Sequence, residues 1–304
     1  MAGLLNKVSD SKHNTGFQHS DNIGMIFYKM QGAGNDYIYF DCMQGKIKNP
    51  EELARRLSDR HFSIGGDGII LLCQSKIADV KMRMFNADGS EGSMCGNGIR
   101  CLGKLACDLG YVKDKSCTVE TLSGVKNLEF FFDCNGKVNA AKVDMGAEIL
   151  NGEKIPSTFR GEKIVNRSLK TDGETYYVTL VSMGNPHCVV FVDEPDDLDL
   201  EELGKKFEFH PAFPERVNAE FVSVVNKNKL KMRVWERGSG ETLACGTGAC
   251  AAAVAAVLNG FCEKCEEINV SLRGGDLTVT YTDKTVYLYG PASLVFMGEI
   301  DLVF

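Results

Sequence analysis

Short runs of β-branched and aromatic residues recur along the first half of the chain. Tyr37 to Phe40, Ile69 to Cys73, Val80 to Phe85, Cys117 to Thr121 and Leu128 to Phe132 each read as a strand. The periodicity changes at Gly98 to Gly110, which reads as a helix closed by its final glycine. A second helix is predicted over Thr247 to Asn259, closed by Gly260, and its lack of a polar face predicts burial on every side. Stretches around Pro156 and Pro195 read as loops, and Glu194 to Glu202 as an acidic turn and helix start facing solvent. The apolar run Ser293 to Phe304 is suited to return and complete a sheet, whereas Met1 to Ile26 is polar and is expected to fray outside the fold.

The pattern is written twice. Lys81-Met-Arg-Met-Phe85 returns as Lys231-Met-Arg-Val-Trp235, an offset of 150 residues. The same offset carries Glu91 onto Glu241, Cys95 onto Cys245, Gly96 onto Gly246, Gly98 onto Gly248 and Gly110 onto Gly260. Upstream it carries Gly34-Asn35 onto Gly184-Asn185. A period this long is not a solenoid repeat. Two halves therefore share one architecture of strands around a buried helix, with a cysteine at each helix's N-terminus. The first half gives way to the second after Met145.

Composition narrows the function classes. A chain of 304 residues, 44% hydrophobic and 25% charged, is an ordinary globular mixture with a prior toward two domains. The net charge of −7 argues against nucleic acid, whose backbone is bound by Lys and Arg. The longest apolar stretch, Ala249 to Leu258, is too short for a bilayer, which needs about 20 residues. Met1 to Ile26 lacks an apolar signal segment, so a cytoplasmic location is expected. The 12 cysteines then read as reduced thiols. Only Cys262 and Cys265 have metal-like spacing, and a structural zinc site takes four ligands, so no metal is assigned.

The paired cysteines carry the chemistry. Matched polar loops precede them, Asn86 to Met94 before Cys95 and Glu236 to Ala244 before Cys245, and small residues follow. Backbone N–H groups at each helix start stay open to a ligand and favour an anion. The thiol pKa is accordingly expected to fall below about 8.5, and the same N–H groups can grip a carboxylate. With one thiolate and one thiol, the first removes a proton from carbon and the second delivers one to the opposite face. That inverts a stereocentre without a cofactor, and the N–H groups stabilise the charge on the carboxylate. The two thiols would titrate as a unit. Gly32-Ala-Gly34-Asn-Asp-Tyr37 lacks the third glycine and the following helix of a nicotinamide site. The competing reading is that two Cys-Gly turns merely tighten helix starts, but packing alone rarely requires matched polar loops before both.

These motifs resemble the diaminopimelate epimerase family. Gly32-Ala-Gly-Asn-Asp36, Phe85-Asn-Ala-Asp-Gly-Ser-Glu91, Cys95-Gly-Asn-Gly-Ile-Arg-Cys101, Met183-Gly-Asn-Pro-His187, Glu236-Arg-Gly-Ser-Gly-Glu-Thr242 and Ala244-Cys-Gly-Thr-Gly-Ala249 occur in the family's order. The resemblance covers Phe27 to Phe304. It implies an α+β fold of two pseudo-symmetric lobes, each a strongly curved, mostly antiparallel sheet around a central helix, with the site in the cleft between them. The matching division is an extension over 1–26, a first lobe over 27–140 completed by 290–304, and a second over 141–289. It further implies interconversion of L,L- and meso-diaminopimelate, toward lysine and peptidoglycan, by a homodimer without a cofactor.

By motif, Cys95 and Cys245 resemble the acid/base pair, and Gly96, Asn97, Gly246 and Thr247 the donors to the reacting carboxylate. Asn35, Asn86, Asn185, Asn218, Glu236 and Arg237 resemble the groups that hold the substrate's other polar ends. An ammonium and a second carboxylate need a carboxylate, an arginine fork and neutral amides. His187 is placed as a supporting group that, with Glu236, can tune the thiols by charge or hydrogen bonding, and a satisfied structural histidine is the alternative. One departure is Gly68, where some members carry glutamine, so Gly68 is left out of the site. The nearest rival is a proline racemase-like enzyme, which shares opposed thiols but should lack the Asn86 and Glu236-Arg237 set. A thiol-based redox or zinc protein is a rival of another class, and it leaves the repeat unexplained.

Overall fold

The structure, a computed structural model, describes residues 24–301. Its element order runs twice. The first pass is β1 (Gly24–Gly32), β2 (Asn35–Cys42), α1 (Pro50–Leu57), β3 (Gly68–Cys73), β4 (Val80–Asn86), β5 (Glu91–Gly92) and α2 (Gly96–Asp108), then β6 (Ser116–Thr121), β7 (Gly124–Phe132) and β8 (Val138–Gly146). After β9 (Arg167–Thr171) the second pass is β10 (Glu174–Ser182), β11 (Pro186–Phe191), α3 (Leu200–Glu208), β12 (Asn218–Asn226) and β13 (Lys229–Glu236). It continues with β14 (Gly240–Thr242), α4 (Gly246–Leu258), β15 (Glu267–Leu272), β16 (Gly275–Tyr281), β17 (Val286–Pro291) and β18 (Ser293–Asp301). β1 and β10, α1 and α3, β3 and β12, and α2 and α4 each begin 150 residues apart.

Strand pairing repeats with the order. The parallel pairs β2–β3 and β4–β6 recur as β11–β12 and β13–β15 among otherwise antiparallel neighbours. β8 pairs with β17 and joins the two passes into one sheet-dominated fold. The apolar tail returns as expected, with β18 pairing along β1 from Gly24↔Asp301 to Gln31↔Ser293. That partner extends β1 back to Gly24, three residues into the segment expected to fray. The rest of that segment, 1–23, lies outside the described residues, as do 302–304.

Both central helices end as the glycines predict. Gly110 (φ 80°) and Gly260 (φ 77°) take left-handed conformations that a side chain resists. The Tyr111 and Phe261 N–H groups then reach the Ala106 and Ala256 carbonyls, each at 2.9 Å. Ile99, Leu102 and Leu105 of α2 and Ala249 to Ala256 of α4 share one buried cluster. Fully burying a leucine or isoleucine contributes roughly 1.5–3 kcal/mol. α4 achieves its burial with alanines, whose small side chains let β10, β11, β12 and β16 close around it. α1, which the sequence pattern did not reveal, packs Leu53 and Leu57 on the outer face of β2–β4 against Phe40, Ile69 and Phe85. α3 does the same with Leu200 and Phe207 against Phe221 and Trp235. Among the described residues no helix is long and apolar enough to cross a membrane.

Candidate active site

The two halves meet at the N-termini of α2 and α4. Cys95 and Cys245 are their N-caps, in extended conformations, and each Sγ accepts a hydrogen bond from the N–H of Gly98 or Gly248 at 3.3 Å. Each sulfur thus takes the place of the usual capping oxygen. The helix starts abut so closely that a Cβ added to Gly96 would lie 3.7 Å from the Gly246 Cα. The Leu288 side chain packs over both glycines, where an added Cβ would lie 3.0 Å from it. The Asn97 side chain crosses the junction and donates to the Ala244 carbonyl, beside Cys245, at 3.3 Å.

Different polar chains support the two thiols. Cys95 donates to Asn35 Oδ1 at 3.3 Å, and the Asn35 amide donates to Asp67 at 2.6 Å. Arg60 in turn donates to Asp67 at 2.9 Å. On the other side, the Thr247 hydroxyl lies 3.4 Å from Cys245 Sγ and accepts from the Asn185 amide at 3.3 Å. The Asn185 oxygen faces His187 Nε2 at 3.1 Å, and His187 Nδ1 lies 2.6 Å from Glu220 Oε1. Between Thr247 and Cys245 either the hydroxyl or the thiol can donate.

Glu236 accepts from the Thr242 hydroxyl at 2.5 Å and acts electrostatically on both Cys95 and Cys245. The sequence reading gave it to the substrate's other polar ends or to tuning the thiols, and its charge acts on both of them. Asn218 is buried and fully engaged, donating to the Pro186 carbonyl at 3.0 Å and accepting from the Arg237 N–H at 2.9 Å. Arg237 is exposed, with its guanidinium on the Glu215 carbonyl at 3.1 Å. The Asn86 amide donates to Ser90 at 3.0 Å within the turn before β5. The structure therefore gathers Cys95, Cys245, Gly96, Gly246, Asn97, Thr247, Asn35, Asn185, His187 and Glu236, while Asn86, Asn218 and Arg237 flank them.

The expectation of lowered thiol pKa values is corrected. Burial pushes the Cys95 thiol up despite the N–H groups of Gly98 and Asn97, and Glu236 adds to the rise while Arg100 opposes it. Cys245 is pushed well above its ordinary value, first by burial and then by Glu236 and Glu220, against Thr247 and Gly248. Loss of water outweighs the helix-terminal donors in this closed arrangement. Burial also holds the Glu236 carboxyl above its ordinary value, against hydrogen bonds from Thr242 and Cys245.

Sequence reasoning missed Asp67, Glu220 and Arg100. The signal for the last two was a single charge inside an otherwise apolar strand or helix, Glu220 within Ala219–Val222 and Arg100 within Ile99–Leu102. Asp67 carried no such signal. Gly68 (φ 155°) sits where any Cβ would collide with the Phe85 carbonyl oxygen, so this backbone excludes a glutamine there. Among the described residues no group of three or more His, Cys, Asp or Glu is placed to hold a metal.

The family model described as diaminopimelate epimerase matches residues 27–150 and 179–295. Diaminopimelate epimerase of Acetivibrio thermocellus is 52% identical over 280 residues, covering 91% of this chain and 99% of that protein. The protein of the same name from Methanococcus maripaludis is 50% identical, covering 91% and 100%. Among solved structures, a probable proline racemase from Agrobacterium radiobacter matches with TM-score 0.71 at 14% identity, over 92% of this chain and 93% of that one. A PhzF-family phenazine biosynthesis protein from Bacillus anthracis matches with TM-score 0.67 at 16% identity, over 92% and 100%.

Proposed function

The chain belongs to the diaminopimelate epimerase family, and on that premise we propose that it interconverts L,L- and meso-diaminopimelate with Cys95 and Cys245 as its two proton carriers. The observation that carries this reading is the pair of thiols capping two helices whose N-termini abut. A substrate α-carboxylate set on the first-turn amides at Gly96, Asn97, Gly246 and Thr247 would accumulate charge where the open N–H donors of two helix starts converge. One sulfur takes the α-proton and the other supplies a proton to the opposite face, so no electron-sink cofactor is required. Glu236, beside both thiols, suits the substrate's reacting ammonium, and Arg237, Asn185 and Asn218 its distal end. Asn35 and Asn86 complete the polar set, and His187 supports Asn185. Such a reaction serves lysine and peptidoglycan precursor synthesis in the cytoplasm.

The lobe division proposed from the sequence, with 290–304 completing the first lobe, is supported by the β18–β1 pairing. A homodimer is supported by exposed apolar side chains on those two strands, Ile26, Leu294, Val295, Phe296 and Met297. The fold is shared with proline racemase-like proteins, so substrate choice must be tested directly. Purified protein with no added cofactor should invert one centre of L,L-diaminopimelate and leave L-proline unchanged. Inversion of proline alone, or activity abolished by a chelator and restored by zinc, would overturn the reading.

A further inference from the structure

Arg100 is fully buried, and its guanidinium reaches no carboxylate within 4.0 Å among the described residues. It donates instead to neutral oxygens: the Gly96 carbonyl at 3.0 Å, Asn97 Oδ1 at 2.9 Å and the Pro291 carbonyl at 3.2 Å. A buried cation without an anionic partner is strongly disfavoured unless some nearby group supplies the opposite charge. Its place in the fold says which group that is. Gly96 and Asn97 form the first turn of α2, immediately after Cys95, and Asn97 in turn holds Ala244 next to Cys245.

The repeat sharpens the point. At the offset of 150 residues Arg100 corresponds to Cys250, which is buried and neutral, and Ile70 corresponds to Glu220. Asn86 likewise corresponds to Glu236. The first half thus contributes a cation behind its thiol, and the second half contributes two carboxylates beside its own. We propose that Arg100 is a positioning residue that assigns the negative charge of the thiol pair to Cys95 in the free enzyme. The assignment rests on the two-thiol reading above. Facing Cys95 are Glu236 from β13, Tyr37 and Tyr39 from β2 and Arg100 from α2, and facing Cys245 are Glu236, Glu220 and the Thr247 hydroxyl. Tyr39, Cys101 and Cys250 also border the guanidinium. Arg100 is the one fixed cation in that set.

Alkylation of each cysteine by iodoacetamide, followed across pH by peptide mapping, tests this without relying on turnover. Midpoints rather than rates are compared, because Cys95 is also the more accessible thiol. Wild-type protein should show a lower midpoint at Cys95 than at Cys245. In R100M and R100Q the Cys95 midpoint should rise by about one pH unit or more while Cys245 moves less, and the acid limb of kcat/KM should shift with it. R100K, which keeps the charge and loses the planar fork, should retain the Cys95 midpoint. A folded R100M or R100Q with an unmoved Cys95 midpoint, or with both midpoints moved equally, would overturn the proposal. If neither neutral variant folds, R100K decides alone, since a raised midpoint there would show that charge is not what acts. Failure of wild-type protein to invert diaminopimelate would refute the function and leave the labelling result to judge Arg100 separately.

Discussion

Cys95 and Cys245 occupy the same position in two copies of one motif, yet their surroundings have diverged. Both cap a helix and both accept from the N–H three residues on. Beyond that shared cap, the Cys95 side offers an amide chain through Asn35 to Asp67 with Arg100 behind it. The Cys245 side offers Thr247, Asn185, His187 and Glu220, with Glu236 alongside. At the repeat offset Tyr37 becomes His187, Ile70 becomes Glu220 and Asn97 becomes Thr247. In the proposed mechanism, this duplication is the symmetry that would place one proton carrier on each face of a carbon. The residues that break the repeat give the two thiols different charged surroundings, Arg100 acting on Cys95 and Glu220 on Cys245.

Removing either carrier breaks the comparison most severely. Cys95→Ala and Cys245→Ala should each lower turnover at least about 10³-fold, and the double variant should be scarcely worse, because the pair acts as a unit. Each should remain folded, and appreciable activity in either would sink the two-thiol account. Glu236→Gln is next, with an expected loss of roughly 10²-fold in kcat/KM for its contact to the reacting ammonium. Removing that charge should also lower the pH at which Cys245 is alkylated, since Glu236 raises its pKa. An unchanged labelling profile would show that Glu236 does not govern Cys245.

Arg237→Lys should cost roughly tenfold in kcat/KM through loss of the carboxylate-matching fork, with kcat less affected. Unchanged kinetics would remove Arg237 from the site. The smallest effects separate chemistry from packing. Cys101→Ala and Cys250→Ala, buried within the two helices, should lower stability by about 1–2 kcal/mol and leave turnover largely intact. Burial pushes these two thiols up to about 11 and about 12. The unfolded chain releases their protons near pH 8.5 while the folded chain holds them, so stability should fall from about that pH upward until the folded values are passed. Each alanine variant should flatten that alkaline slope in a urea titration, and an unaltered slope would contradict the burial argument.

The repeat, the central helices and the two caps were legible because small residues, cysteines and glycines recur at fixed spacing and do one geometric job. α1 was not, since Pro50 to Leu57 is short and interleaves its three apolar contacts with charges. The thiol environment was misread because helix-end electrostatics can be seen in sequence, while loss of water depends on what closes over the site. The electrostatic hold of Glu236 on both thiols follows from where β13 and β14 set its carboxyl, which spacing along the chain does not reveal. Arg100 and Glu220 were hidden inside elements read as core.

Single-turnover inversion in deuterium oxide tests the central claim most directly. With one monoprotic thiol on each face, the product formed early should carry deuterium at the inverted carbon, while recovered substrate stays protiated. Deuterium appearing equally in recovered substrate and product from the start would mean that one group serves both faces, and would contradict the opposed-thiol mechanism.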